Sequence, residues 1–138
     1  MKPIVRVVLA VLAGVAVGSV VNMGLVMAGG AAIPPPEGAD VSSMEGLKAS
    51  MPLFEARHFL FPFLAHALGT LAGAFVAARL AAPGKRIGPA LAVGCVFLLG
   101  GVSVALAAPP PVWFAVLDLG AAYLPAAWVG GRLGARES

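Results

Sequence analysis

The chain has 138 residues, of which 60% are hydrophobic and only 11% are charged, and its formal net charge is +3. Soluble domains carry about a quarter charged residues, so a water-soluble fold of this composition would expose large apolar patches. The nine Lys and Arg residues are spread along the chain without a basic stripe or a recognition motif, which argues against a nucleic-acid partner. The composition therefore indicates a protein whose solvent is a lipid bilayer.

Four apolar stretches are long enough to cross a membrane, which takes about 20 apolar residues per helix. We predict an all-α membrane protein, an antiparallel four-transmembrane-helix bundle that forms a single domain over residues 1–138. The predicted helices cover about 4–28, 58–81, 87–108 and 112–132. A barrel would need alternating apolar and polar residues, and the sequence has no such segment.

The first apolar stretch has an alternative interpretation, the apolar region of a cleaved signal peptide. Small residues from Ala28 to Ala32 stand where such a peptide is cut. The apolar region of a signal peptide usually has about 7–15 residues, however, whereas this one has roughly 22. We therefore favour a transmembrane helix that remains part of the chain.

An outer loop over residues 29–57 follows the first helix. Three prolines, Pro34 to Pro36, predict a stiff, extended start. Ser42 and Glu45 form an S-x-x-E capping box, which predicts a short amphipathic helix over about 43–50. We expect this helix to lie along the membrane surface, and its apolar residues are Met44, Leu47 and Met51. A simple linker is the favoured interpretation of the loop, and a lid or a partner surface is the alternative.

Basic residues set the orientation of the helices. They precede the first helix, lie between the second and third, and follow the fourth: Lys2, Arg6, Arg79, Lys85, Arg86, Arg132 and Arg136. The opposite side carries four acidic residues against two basic ones in the outer loop. The positive-inside rule therefore predicts that both termini lie in the cytoplasm.

The second and fourth helices end in similar sequences, since residues 74–82 align with 127–135 and share an aromatic-Val pair and an Arg-Leu pair. Each helix pair also turns at three consecutive prolines. These features predict two tandem helix-pair repeats related by an axis along the membrane normal. The alternative is convergence on the composition of membrane helices.

Small residues and prolines mark helix contacts and bends. Small residues spaced four apart let membrane helices approach closely. The glycines with this spacing are Gly14 and Gly18 in the first helix, and Gly69 and Gly73 in the second. Each proline inside a helix removes a backbone hydrogen bond and should bend the helix, and the two such residues are Pro62 and Pro125.

One polar residue in each predicted helix lies at a similar depth, and the four are Asn22, His66, Ser103 and Asp118. At about 1.5 Å per residue they lie roughly 20–25 Å from the cytoplasmic arginines. Polar groups are costly in lipid, so we expect the four side chains to point inward and meet. An ionised Asp118 would need a partner, and His66 is the candidate nearest in level.

This polar cluster has two interpretations. The favoured one is structural, with hydrogen bonds that fix helix register. The alternative is a proton-responsive pair or a ligand site that opens outward, formed by Asp118 and His66. We expect His58 to be a surface group near the outer interface. The aromatic residues with expected interfacial or bundle-anchoring roles are Trp113, Tyr123 and Trp128.

The sequence has no nucleophile elbow, H-E-x-x-H motif, P-loop or dinucleotide fingerprint. We therefore expect no enzymatic activity, no cofactor and no metal site. The leading hypothesis is a non-enzymatic accessory or interaction protein, and the alternative is a small proton-coupled transporter or channel. So small a bundle has much lipid-facing surface, which favours a homo-oligomer or docking into a larger membrane complex.

Three stretches carry a resemblance to a known group: residues 33–38, residues 61–70, and Asp118-Leu119 together with Trp128-Val129-Gly130-Gly131. They resemble a family of short bacterial four-helix inner-membrane proteins to which no function is assigned. The resemblance implies the four-helix architecture and no activity, so no functional residue is transferred from it. We expect a multi-pass protein of the bacterial cytoplasmic membrane.

Overall fold

The computed structural model describes residues 1–136. Over this range the chain is helical and contains no strand. The α-helices are α1 (Pro3–Ala32), α2 (Met44–Ser50), α3 (Leu60–Leu80), α4 (Ile87–Ala107), α5 (Val112–Ala121) and α6 (Leu124–Ala135). Two 3₁₀ turns, Met51–Leu53 and Ala56–Phe59, lie between α2 and α3.

Four segments in the described part of the chain are long and apolar enough to cross a membrane, which confirms the all-α four-helix prediction. They are Pro3–Ala32, Ala56–Leu80, Ile87–Ala107 and Val112–Ala135. The first helix ends at Ala32 rather than near residue 28. Ile33 leaves the helical conformation because it precedes Pro34, and the residue before a proline is biased toward extended backbone.

Helices α1 and α3 are antiparallel and meet at the predicted glycines. A Cβ atom added to Gly14 would lie 2.5 Å from the carbonyl oxygen of Gly73, and one added to Gly18 would lie 2.7 Å from that of Gly69. The two backbones are therefore too close for any side chain at these positions. Such an approach allows van der Waals packing along the length of both helices, and it fixes α1 against the rest of the bundle.

Within the second helix pair, α4 packs on α6 through small residues. Gly94 faces Ala127, and Gly131 faces Ala90. Helix α6 also runs beside α3 in the same direction. The fully buried centre consists largely of alanines, namely Ala74, Ala78, Ala90 and Ala127.

The two helix pairs repeat locally. The aligned segments 74–82 and 127–135 have the same pattern of buried and exposed residues at every position except the valine. Arg6 donates a hydrogen bond to the carbonyl of Ala81 (3.3 Å), and Arg86 donates one to the carbonyl of Gly134 (3.5 Å). Ala81 and Gly134 are aligned positions, so an arginine at the start of the first helix of each pair caps the second.

The symmetry predicted for the repeat is absent. An axis along the membrane normal would make the α3–α4 and α1–α6 contacts equivalent. Instead α3 packs on α4, whereas α1 and α6 hardly touch. The two glycines of α1 contact α3 and also contact Val93 and Phe97 of α4. These contacts bring α1 next to α4 instead of α6.

The two predicted proline bends have different outcomes. Helix α5 ends at Ala121 and α6 begins at Leu124, with Pro125 as its second residue. Because Pro125 has no N–H to donate, the hydrogen-bond ladder is interrupted here. Pro62 lies in the first turn of α3, where an N–H would have no partner within the helix, so the expected loss of a hydrogen bond there is wrong.

Candidate functional site

A histidine–aspartate pair joins α3 to α5 within the membrane-spanning part of the bundle. The Nδ1 atom of His66 lies 2.8 Å from Oδ1 and 3.0 Å from Oδ2 of Asp118. The side chain of Asp118 is only 7% exposed, whereas that of His66 is 30% exposed. The carboxylate is thus enclosed, and the imidazole closes it off on one side.

Tyr123 is the third member of this site. Its hydroxyl donates to Oδ2 of Asp118 at 3.4 Å, and its ring stacks on the imidazole of His66 with centroids 5.6 Å apart. Only 3% of Tyr123 is exposed, so of the two expected roles, interfacial or bundle-anchoring, the interfacial one is wrong. A Cβ atom at Gly101 would lie 2.5 Å from the Tyr123 hydroxyl, so a glycine in α4 is what admits the ring.

The other two predicted members of the cluster are placed differently. Ser103 is exposed, and its hydroxyl donates to the carbonyl of Leu99 on its own helix (2.8 Å). Its expected part in the cluster is therefore wrong, because a serine in a helix can satisfy itself on the preceding turn. Asn22 is half-buried beside Gly69 and lines the same cavity as His66 and Asp118. Its amide makes no hydrogen bond to another side chain within residues 1–136.

A cavity of about 410 Å³ extends from the outer loop past the pair to the level of Gly69 and Thr70. Its walls come from α1, α3, α4 and α5 and are mainly apolar and aromatic, with Phe59, Phe97 and Phe114 among them. Thr70 also lines it, and its buried hydroxyl has no hydrogen-bond partner in the described part of the chain. Ligand sites in proteins are typically apolar cavities of this size with a few convergent polar groups.

The outer loop covers this cavity. Leu47, Met51, Phe54 and His58 all line it. The apolar side chains of the loop turn inward onto the bundle, as the favoured packed linker would, and they also cover the cavity, as a lid would. His58 is only 8% exposed, so its expected position as a surface group is wrong as well.

His58 is held by its own turn. Its Nδ1 accepts a hydrogen bond from the backbone N–H of Glu55 (2.8 Å), and its ring meets the edge of Phe54 at 5.6 Å. An Nδ1 that accepts must carry a lone pair, so in this arrangement the hydrogen of the neutral ring is on Nε2. The second imidazole of the cavity is thus fixed in both position and tautomer.

The start of the loop is tied down by Asp40 and Ser50. The backbone N–H of Asp40 donates to the hydroxyl of Ser50 at 2.8 Å. The hydroxyl of Ser42, and then its backbone N–H, hold the pKa of Asp40 below its usual value by donating to the carboxylate. Ser43, rather than the predicted Ser42, caps α2 by accepting from the N–H of Gly46 (3.0 Å).

The cavity also has a side opening between α1 and α4. These helices touch where Gly18 meets Phe97. Beyond that contact, Ser19 of α1 and Gly100 and Val104 of α4 line the cavity while remaining exposed on the outside of the bundle. This side of the cavity is therefore bounded by residues that also face the surrounding hydrocarbon, and not by the loop.

The geometry suits a hydrogen-bonding ligand better than a metal ion. Within residues 1–136, no three His, Cys, Asp or Glu side chains are grouped so that they could hold a metal. The two imidazoles, Asn22 and Thr70 instead supply hydrogen-bonding groups around an apolar space. The resemblance noted from the sequence stays a prediction, since comparison with protein-family models, curated proteins and solved structures finds no match to this chain.

Proposed function

We propose that this chain is a multi-pass protein of the bacterial cytoplasmic membrane with both termini in the cytoplasm. Support comes from the basic residues, since Arg6, Arg79, Arg86 and Arg132 all lie at the bundle end opposite the loop. By the positive-inside rule that end faces the cytoplasm and the loop faces outward. A reporter fused after Ser138 should be active in the cytoplasm, and periplasmic activity would contradict this orientation.

The function that we propose is binding, without chemistry, of a small and largely apolar molecule in the cavity beneath the outer loop. One observation carries this proposal: a covered apolar space of about 410 Å³ has the His66–Asp118 pair on its wall. The favoured structural role of the pair is compatible with binding, because the same hydrogen bonds that fix α3 on α5 also hold the imidazole in place.

Binding of an apolar fluorescent dye tests this function. The probe is N-phenyl-1-naphthylamine, titrated into the purified protein in lipid nanodiscs. A phenylalanine at Gly100 should block the cavity, because this residue lines it at the side opening. The substitution should not disturb the fold, because a Cβ atom there meets nothing within 4 Å. We expect saturable binding to the unmodified protein and at least a tenfold loss in Gly100→Phe.

Gly24→Phe is the matched control. This glycine is also helical and exposed, a Cβ atom there also meets nothing within 4 Å, and it does not line the cavity. The control should bind the dye as the unmodified protein does. Equal dye binding by Gly100→Phe and the unmodified protein would overturn the proposed site.

As an accessory protein, the chain would act together with other copies or with a larger membrane complex. Large apolar side chains are exposed along α1, including Leu12, Val20 and Met27, and they face lipid or protein. Measurement of the mass in nanodiscs and purification in mild detergent test this role. Recovery of a monomer alone under both conditions would contradict it.

Proton-coupled transport is the second candidate, because two titratable side chains, His66 and Asp118, lie in contact on the cavity wall. An Asp118→Asn variant keeps the size of the side chain but cannot ionise. If this variant stays folded and loses a pH-dependent flux in liposomes, transport replaces simple binding as the function. If the unmodified protein gives no flux at any pH, the second candidate is excluded.

A further inference from the structure

The nitrogen atom of His66 that faces away from Asp118 is free for a ligand. Nδ1 is occupied by the carboxylate, and Nε2 has no partner among the described residues. When both ring nitrogens carry a hydrogen, or when a protonated carboxyl donates to Nδ1, the Nε2 atom carries a hydrogen. A ligand with an acceptor atom selects these forms of the pair, in which Nε2 is an N–H donor.

His58 presents a second donor to the same cavity. Its Nδ1 accepts from Glu55, so its Nε2 carries a hydrogen. His58 and His66 are eight residues apart within the span Ala56–Leu80, which separates their backbone levels by roughly 12 Å.

Two further polar groups lie near or below the level of His66 and can also donate, since Asn22 packs beside Gly69 and Thr70 is one turn past His66 in α3. The hydroxyl of Thr70 is buried without a partner, and the amide of Asn22 lines the cavity. Asp118, the one carboxylate on the cavity wall, is already occupied by His66 and Tyr123. A matching ligand therefore carries hydrogen-bond acceptors on opposite sides of an apolar body, rather than a positive charge.

The side opening and the aromatic walls specify the shape of this ligand. Phe59 and Phe114 lie with ring centroids 4.6 Å apart on one side of the cavity, which favours a flat ring. The opening at Ser19, Gly100 and Val104 faces hydrocarbon and would pass an alkyl tail. The ligand then partitions into the bilayer and enters sideways.

We propose that the cavity binds the headgroup of a membrane quinone, a flat ring with carbonyl oxygens on opposite edges and a hydrocarbon tail. One carbonyl accepts from Nε2 of His66 and the other from Nε2 of His58. The tail leaves between α1 and α4. The proposal deepens the proposed function and rests on it, and it concerns binding alone.

Quenching of Trp113 fluorescence tests the proposal. Trp113 meets Phe59, a wall of the cavity, edge-on at 5.7 Å, and a Trp128→Phe background leaves it as the one tryptophan. The probes are a decyl-substituted para-benzoquinone and 1-bromo-4-decylbenzene, which has the same tail and a quenching atom but no carbonyl. Both are titrated into the protein in nanodiscs. We expect the quinone to bind at least tenfold more tightly.

Variants at the two histidines complete the test. His66→Phe and His58→Phe should each weaken quinone binding about three- to tenfold and leave the affinity for the bromobenzene unchanged. His58→Phe remains informative if the first variant fails to fold, because His58 lies outside the pair with Asp118. Equal affinities for the two probes would overturn the quinone proposal while cavity binding stands. Absence of dye binding would overturn the proposed function itself.

Discussion

Replacing His66 and Asp118 by leucine, singly and together, measures how much the pair stabilises the bundle. In His66→Leu, Asp118 remains enclosed with a single partner, the Tyr123 hydroxyl at 3.4 Å. We expect the free energy of unfolding to fall by about 3 kcal/mol, because a nearly buried carboxylate loses its main partner. In Asp118→Leu, the imidazole keeps access to the cavity, and the expected loss is only about 1 kcal/mol.

The double variant leaves the Tyr123 hydroxyl without its acceptor, as Asp118→Leu does, but it leaves no enclosed carboxylate without its main partner. Its expected loss of about 2 kcal/mol is smaller than the two single losses combined, which gives a coupling free energy of about 2 kcal/mol. This value is near the upper end of hydrogen-bond couplings measured in membrane proteins. Two short contacts, at 2.8 and 3.0 Å, and the enclosure of Asp118 justify it.

Reversible unfolding in mixed detergent micelles provides the free energies. Ser103→Ala combined with His66→Leu is the control, because the Ser103 hydroxyl bonds only to its own helix in the described part of the chain. That combination should be additive. If the leucine variants of His66 and Asp118 are also additive within about 0.5 kcal/mol, the two side chains do not interact and the site is misassigned.

Three further predictions concern the packing, the basic end and the loop. Gly14→Ala should cost about 1–3 kcal/mol because its Cβ would lie 2.5 Å from a carbonyl oxygen of α3. Gly24→Ala, with open space around it, should be neutral or stabilising by up to about 1 kcal/mol, and equal thermal stabilities of the two variants would contradict the close helix contact. Arg86→Gln should speed hydrogen exchange in the last turns of α6 because the carbonyls of residues 134 and 135 lose their cap, and unchanged exchange would refute the capping. The pKa of Asp40 is lower in the folded loop than its usual 3.8, so this carboxylate stabilises the loop above that pH and ceases to do so as the pH falls through the folded pKa. Proteolysis of the loop should therefore accelerate in acid, and Asp40→Asn should abolish that pH dependence.

The sequence sufficed for the spans because hydrocarbon thickness imposes one length on every crossing helix. It also sufficed to mark the contact faces of α1 and α3, since glycines four residues apart lie on one face of a helix, but the spacing did not say that these two faces meet each other. The pairing of His66 with Asp118 was predicted from the depth of the two side chains in the membrane and from the energetic cost of an unpaired carboxylate in lipid. An enclosed carboxylate needs a partner, and a histidine on a neighbouring helix lay at the same level.

The parts that the sequence did not predict depend on local hydrogen bonds or on tertiary structure. Ser103 has the right depth, but its hydroxyl reaches the carbonyl of Leu99 without any partner helix. Tyr123 lies five residues from Asp118, too far for a contact along one regular helix. The interruption before Pro125 changes the direction of the chain and brings the phenol hydroxyl back to the carboxylate.

Sequence patterns did not predict the covered cavity either, because it too depends on tertiary structure. Leu47 and Met51 show an apolar face, but their spacing does not say whether that face meets lipid or protein. The position of His58 follows from the turn at Glu55 and from packing against Phe54. Local hydrogen bonds at Asp40, Ser42 and Ser43 then shape the loop that holds this cover in place.

The central claim is that the free nitrogen of His66 faces a binding cavity while its other nitrogen bonds to Asp118. Because His58 and His66 are the two histidines of the sequence, ¹⁵N-labelled histidine gives two pairs of ring signals in nanodiscs. Asp118→Leu should shift the Nδ1 signal of His66 and leave that of His58 in place. Saturation with the decyl benzoquinone should shift the Nε2 signals of both rings. Signals that stay unchanged in the Asp118 variant and under saturating probe would contradict the claim.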